Sequence, residues 1–376
     1  MRNVARFAVR ASRATLSAVV SSAMAPFPLH RGRRATAIEN SDLRVTVLEE
    51  GGHIAEVVDK RTGINPLWTP TWTSVEPSAF DAARYAECGN GADAKLLAGI
   101  MGHNWCLDIF GPPSNQELAA GLGPHGEASI ARYDMDAGPD GLAMRARLPL
   151  AGLEVERRLT LHDRSVHIVE TVESLSSCDR PIGWTQHVTL GPPFLQKGVT
   201  EFRASATRSK VFEGAFGTAD YLQPGATFEW PIAPRANGGV ADLRVFTDAS
   251  SSSAYTAHLM DRQRRDAFFV AFKADERFAF GYVWAQADFP WLGIWEENRS
   301  RRHAPWNGRA LTRGMEFGVS PFPETRRQMV DRNSLFGTPT YRWMPAKGRI
   351  TAEYWIIVRS TDTIPESLER PSGGAS

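Results

Sequence analysis

The hydrophobic pattern of this chain is that of strands rather than helices. Leu43, Val45 and Val47 alternate with Arg44 and Thr46, Gly51-Gly52 turns the chain, and the pattern resumes over residues 53–58 up to the Thr62-Gly63 turn. A period of two puts one set of side chains on each face, so this stretch predicts an opening antiparallel hairpin. The alternation is strongest over residues 153–161, where Leu153, Val155, Leu159 and Leu161 face one way and Glu154, Glu156, Arg158 and Thr160 the other. His162-Asp163-Arg164 then turns the chain into residues 166–172, a half-buried hairpin. Further strands are predicted over residues 182–190, 243–247, 267–272, 278–284, 314–319 and 351–358.

Helical signals are short. Ser114-Asn115-Gln116-Glu117 is a capping box with Gly121 as the stop, which makes Glu117 a cap rather than a catalyst. Short helices are also predicted over residues 80–86 and, after Pro323, over residues 324–330. The sum is an all-β chain, one large antiparallel β-sandwich over residues 36–365 with long loops gathered at a functional face. Residues 1–35 read as a leader or disordered N-terminal extension, and 366–376 as a disordered tail.

Composition sharpens this picture in three places. The net charge of +1 hides an asymmetry, because residues 1–35 hold seven arginines and no acids. The remainder carries 36 basic against 42 acidic groups, which argues against a nucleic-acid partner. The three cysteines, Cys88, Cys106 and Cys178, lack CxxC spacing and favour a reducing compartment, hence a cytoplasmic protein. The alternative is export, since the arginine-rich start, an uncharged run over 14–25 and Ala23-Met24-Ala25 have a signal peptide's layout. No run reaches membrane-spanning length, and no membrane partner is expected.

Candidate chemistry falls in four places. Residues 102–128, GHNWCLDIFGPPSNQELAAGLGPHGEA, bring His103, His125, Asp108 and Glu127 together with aromatics in a segment broken by glycine and proline. His187 lies on the polar face of its strand, opposite Ile182, Trp184, Val188 and Leu190. Glu316 lies opposite Met315, Phe317 and Val319, between Gly314 and Gly318, where missing side chains clear space around one carboxylate; Arg313 precedes it. Trp295 and Glu297 belong to an aromatic and acidic cluster, residues 291–299 continuing to Pro305-Trp306-Asn307-Gly308, suited to sugar hydroxyls and C–H faces. The eleven tryptophans of the chain fit the same purpose. The Gly89-Asn90-Gly91 piece lacks the strand and helix of a dinucleotide site.

In chain order these parts resemble the galactose mutarotase-like (aldose 1-epimerase) superfamily. His125 in Pro-His-Gly is similar to the family's first histidine, His187 in Gln-His-Val to its second, and Glu316 in Gly-Met-Glu-Phe-Gly to its late-strand glutamate. The resemblance implies a supersandwich fold, a small-molecule carbohydrate partner, no cofactor and no metal. It also implies opening of a cyclic hemiacetal, with Glu316 as base and the His187 imidazolium as acid. His125, His103, Asp108, Glu127, Trp295, Glu297 and Arg313 are then candidates for contacting the sugar. The sequence departs from the family in Val188-Thr189-Leu190 after the second histidine, in Gly102-His103-Asn104-Trp105 where an arginine-bearing loop is usual, and in lacking an assignable sugar-binding aspartate.

Three alternatives stay open: a non-catalytic carbohydrate-binding sandwich; a cupin-like metal-dependent isomerase or lyase using His103, His125, Glu127 and His187; and a glycoside hydrolase or lyase with Glu297 or Asp108 as second carboxylate. The oligomeric state is left undetermined by the sequence.

Overall fold

The computed structural model describes residues 29–139 and 141–371. Among these, twelve strands form one antiparallel sheet and eight form a second. Five adjacent strands at the centre of the larger sheet carry the site. In chain order they are β1 (His103–Asp108), β2 (Arg180–Leu190), β3 (Ser252–Met260), β4 (Trp291–Asn298) and β5 (Leu311–Gly318). They lie side by side as β1-β2-β5-β4-β3.

The main core fills the space between the sheets. Ile182, Trp184, Val188 and Leu190 of β2 and Met315 and Phe317 of β5 meet Leu153, Val155, Ile168, Phe269, Tyr282 and Ile356 of the smaller sheet. The faces assigned from alternation are therefore the observed ones. Both predicted hairpins form, Leu43–Leu48 with Ile54–Asp59 and Leu153–His162 with Ser165–Ser174. Three short helices cross the ends: α1 (Ala94–Gly99), α2 (Asn115–Ala119) and α3 (Arg326–Arg332). The Ser114–Glu117 capping box starts α2, and Thr325 with Gln328 forms a second one at α3.

Several expectations need correction. β3 is buried along its whole length, so SSAYTAHLM shows no alternation to read. Residues 243–247 make only an isolated bridge at Val245, and the short strand here is Val240–Asp242. Residues 80–85 hold a turn rather than a helix, a short 3-10 helix follows at Ala86–Cys88, and α1 went unpredicted. The N-terminal boundary at 35 falls inside the strand Arg33–Glu39. Arg33 is fully buried, bonded to Glu76 at 2.7 Å and to the carbonyls of Gly99 and Glu50 at 2.8 Å, so residues 29–35 belong to the fold; residues 1–28 lie outside the described part. At the other end Leu368 packs on the outer face of the smaller sheet, and Arg370 pairs with Asp266 and Glu353, so the ordered chain continues past 365. Residues 372–376 lie outside the described part.

One interior feature escaped the pattern of alternation altogether. Arg157, Glu170 and Gln186 sit on the inward parity of their strands among apolar neighbours, and all three are fully buried. Glu170 accepts hydrogen bonds from Arg157 Nε (2.8 Å), Trp184 Nε1 (2.9 Å), Gln186 Nε2 (2.6 Å) and the Tyr354 hydroxyl (2.8 Å). A charge buried this deeply is tolerable only when its lone pairs are saturated, and here they are. Glu170→Ala leaves the Arg157 cation unpaired and is expected to cost about 3–5 kcal/mol. Denaturant unfolding measures it; a loss under about 1 kcal/mol would show that the cluster contributes little.

Candidate functional site

The outward faces of β2–β5 form the floor of a cavity of about 410 Å³, roofed by the loops around α1, residues 110–125, and the β4–β5 connection. The pairing register sets the floor. His187 stands directly opposite Glu316 across β2 and β5, Glu316 opposite Gly293 of β4, and His187 opposite Asn104 of β1. The His187 Nε2 lies 3.0 Å from Glu316 Oε1, and its Nδ1 lies 3.0 Å from the Thr189 hydroxyl.

Two glycines make this geometry possible. A Cβ at Gly314 would collide with the Glu316 carboxylate, and one at Gly293 would overlap the Tyr255 hydroxyl. Gly314 thus makes room for the acid itself. Gly318, by contrast, accommodates Thr185 of the neighbouring strand rather than an incoming molecule.

His125 arrives from the loop after α2 with φ of 64°. Its Nδ1 is 2.7 Å from the Cys106 thiol, and its ring centroid is 4.9 Å from that of His187. The walls are aromatic: Phe110, Phe216, Tyr255, Trp295 and Trp306 all line the cavity, with Trp68 stacked behind Trp306. Polar groups buried on this side without a hydrogen-bond partner among the described residues include the Trp295 indole N–H, the Tyr255 hydroxyl and the Asn104 amide. Orphans of this kind cost free energy and mark places where a ligand can be received.

Burial decides the protonation of the floor. Desolvation lifts Glu316 from the usual carboxylate range to about 8, and the Tyr255 hydroxyl and Arg301 offset only part of it. The same cause lowers His125 to about 4 and holds His187 well below the ordinary histidine value, with His125 adding to the effect. Around neutrality the floor therefore favours uncharged imidazoles and a carboxyl that keeps its proton.

His125, His187, Trp295 and Glu316, all singled out from the sequence, line the one cavity. The other candidates do not join them. His103 is on the inner face of β1, bonded to Gln186 Oε1 (3.0 Å) and the Tyr282 hydroxyl (3.1 Å), because residue 103 has the parity of Trp105. Asp108 is buried against Arg180 and Arg326. Glu127 accepts from the Ala151 backbone N–H at 2.6 Å. Arg313 has the inward parity of Met315 and lies over Phe202, bonded to the Leu243 carbonyl at 3.0 Å. Glu297 is on the outward side of β4 but holds the following loop, accepting from Ser300 N (2.6 Å), Ser300 Oγ (2.7 Å) and Arg301 N (3.1 Å). His103, His125, Glu127 and His187 consequently do not converge as a metal set, and neither Glu297 nor Asp108 is free to act as a second carboxylate.

Sequence reasoning missed Tyr255 and Arg301, while Trp306 belongs to the aromatic cluster it singled out. Tyr255 is on the strand without alternation. Arg301 is on the β4–β5 loop, where the run Arg299–Arg302 resembles a solvated surface.

No protein-family profile matches this sequence, and no curated protein sequence matches it. Solved structures do. A candidate aldose 1-epimerase from Klebsiella pneumoniae superposes with a TM-score of 0.61 at 11% identity, covering 90% of this chain and 83% of its own. A galactose mutarotase-like protein from Clostridium acetobutylicum gives 0.57 at 12%, covering 89% and 98%. A galactose mutarotase related enzyme from Lactobacillus acidophilus gives 0.56 at 13%, covering 88% and 99%. The chain has the galactose mutarotase-like fold, as the order of its motifs suggested. Among the described residues no helix is long and apolar enough to cross a membrane.

The raised value of Glu316 carries a sign that can be measured. A carboxyl whose folded value exceeds its unfolded one stabilises the fold fully below about 4.5, and that stabilisation is lost as pH rises through about 8. Glu316→Gln keeps the uncharged shape. Between the unfolded and folded values each step of one in pH removes about 1.4 kcal/mol from the parent alone, so the variant is expected to gain on it by several kcal/mol between pH 5 and 9. Parallel stability curves would show that Glu316 is not desolvated. The lowered histidines act oppositely, their stabilisation being complete above 6.5 and lost on acidification, for His125 through about 4.

Proposed function

We propose that the protein is a carbohydrate-active isomerase of the aldose 1-epimerase type, opening and reclosing the cyclic hemiacetal of a sugar over the His187–Glu316 pair. The observation that carries this reading is the 3.0 Å contact between these two groups on the floor of an aromatic-walled cavity. At about 410 Å³ the cavity is in the lower part of the range of roughly 300–1,000 Å³ for small-molecule pockets, a size suited to one sugar ring.

The chemistry needs one proton taken and one given. The family resemblance implies a resting carboxylate at Glu316, but burial of both groups favours the opposite start, with Glu316 protonated and His187 neutral. In that state His187 Nε2 is a free acceptor 3.0 Å from the Glu316 carboxyl, and its Nδ1–H donates to Thr189. With sugar bound, Nε2 takes the anomeric hydroxyl proton as Glu316 gives its own to the ring oxygen. The bond between C1 and the ring oxygen breaks, and an aldehyde forms. The pair is then imidazolium and carboxylate, with no change in net charge. After the aldehyde turns about its bond to C2, Glu316 recovers the proton from the sugar hydroxyl that attacks C1, and His187 returns its proton to the carbonyl oxygen. Both groups are back where they began, and the other anomer has formed. Charge conservation matters here, because a desolvated cavity penalises creating a lone charge far more than exchanging protons within a pair.

His125 lines the same cavity and is held through Nδ1 by Cys106, which leaves Nε2 to bond a sugar oxygen. Trp295 and Trp306 offer faces for the apolar side of the ring, and the Trp295 N–H a donor. The remaining alternative, a sandwich that binds sugar without turning it over, shares all of these contacts.

Anomer interconversion of common aldoses, followed by polarimetry or exchange NMR, tests the reading. Glu316→Gln and His187→Asn are each expected to lose about 10²–10⁴-fold in kcat while leaving the fold intact. Sugar binding with no acceleration by the parent protein would favour the non-catalytic alternative, and full activity in Glu316→Gln would remove Glu316 from the mechanism.

A further inference from the structure

Arg301 lines the cavity but has no part in the proton transfers. The β4–β5 loop that carries it is pinned by Glu297, whose oxygens are taken by the Ser300 N–H, the Ser300 hydroxyl and the Arg301 N–H. With that acid occupied, the guanidinium approaches it only to 3.8 Å. The charged head instead sits among rings, 4.9 Å from the centroid of Trp306, 5.3 Å from Trp295 and 5.6 Å from Phe216. Aromatic faces hold a cation in place but supply no lone-pair acceptor in the plane of its N–H groups. Of the five N–H bonds of a guanidinium, one is used in a hydrogen bond among the described residues, from Nη2 to the Phe216 carbonyl at 3.1 Å.

Asp93 also lines the cavity and makes no ion pair with Arg301 among the described residues. Burial lowers the guanidinium's own pKa, the mark of a desolvated charge that is only partly compensated. Arg301 and Glu316 nevertheless share one site, since the arginine's charge is felt by the Glu316 carboxyl. Among the described residues that line the cavity, Arg301 is the sole arginine or lysine.

We propose that the sugar turned over here bears a carboxylate, as a hexuronic acid does, and that Arg301 receives it as a planar two-pronged pair while the anomeric carbon lies over His187 and Glu316. This rests on the hemiacetal-opening reading above. A carboxylate is favoured over a phosphate ester because one guanidinium fork matches a planar monoanion, whereas a tetrahedral dianion calls for further cations that the lining does not hold.

Matched pairs of substrates test it, galacturonate against galactose and glucuronate against glucose, which differ only at C6. The ratio of kcat/KM for acid over neutral sugar is expected to be about 10–100 in the parent protein, the range for charge-assisted hydrogen bonds. Arg301→Gln should bring that ratio close to one and Arg301→Lys should keep part of it. A ratio taken within one variant does not depend on how much of the sample is folded. A parent ratio at or below one, a ratio unchanged in Arg301→Gln, or hexose 6-phosphates outrunning the uronates would each overturn the proposal. Neutral aldoses interconverted without any preference for acids would sink this inference alone. No interconversion of any of these sugars would remove the isomerase reading and this proposal with it.

Discussion

The site depends on one constraint, the register between β2 and β5. Side chains alternate faces along a strand, so slipping this pairing by one residue would set His187 against a residue that faces the interior. Two sets of inward contacts oppose such a slip. Ile182, Trp184, Val188 and Leu190 meet Met315 and Phe317 in the core, and Glu170 grips β2 at two successive inward positions through Trp184 Nε1 and Gln186 Nε2. The interior hydrogen bonds thus hold the strand whose outer face presents His187. Buried polar clusters are costly ways to gain stability but good ways to specify a single arrangement, and this one lies directly beneath the cavity.

The second organising influence is loss of water. Tyr255, Trp295, Trp306 and Phe110 enclose the floor, and the same enclosure that raises Glu316 to about 8 lowers His125 to about 4. A carboxyl that would be ionised in water near neutrality and an imidazole that would be partly so are pushed toward a shared neutral state. Proton exchange inside such a pair needs little reorganisation of the surroundings, which is the condition for preorganised acid–base chemistry. Arg301 is outside this pair, a positive charge held among aromatic rings in the wall of the same cavity.

Much of this was legible in the sequence, for a definite reason. β2 and β5 alternate clearly, so their core-facing residues and the outward position of His187 and Glu316 follow from parity, and the Ser114–Glu117 cap follows from its own four residues. What failed to show was whatever parity conceals. Arg157, Glu170, Gln186 and His103 are polar residues on apolar faces, and only tertiary packing brings them together. β3 is covered on both sides and has no alternation, which hid Tyr255. Arg313 was drawn toward the site by its closeness in sequence to Glu316, yet three residues' separation in a strand puts the two on opposite faces. Arg301 sits in a loop whose path depends on the side chain of Glu297, a detail no local pattern encodes.

A crystal structure of the protein with a cyclic aldose or uronate bound bears most directly on the central claim. The account places the anomeric hydroxyl and the ring oxygen within hydrogen-bonding reach of His187 Nε2 and the Glu316 carboxyl, with the ring against Trp295 or Trp306. A sugar seated outside this cavity, or bound in it with C1 turned away from both groups, would contradict it.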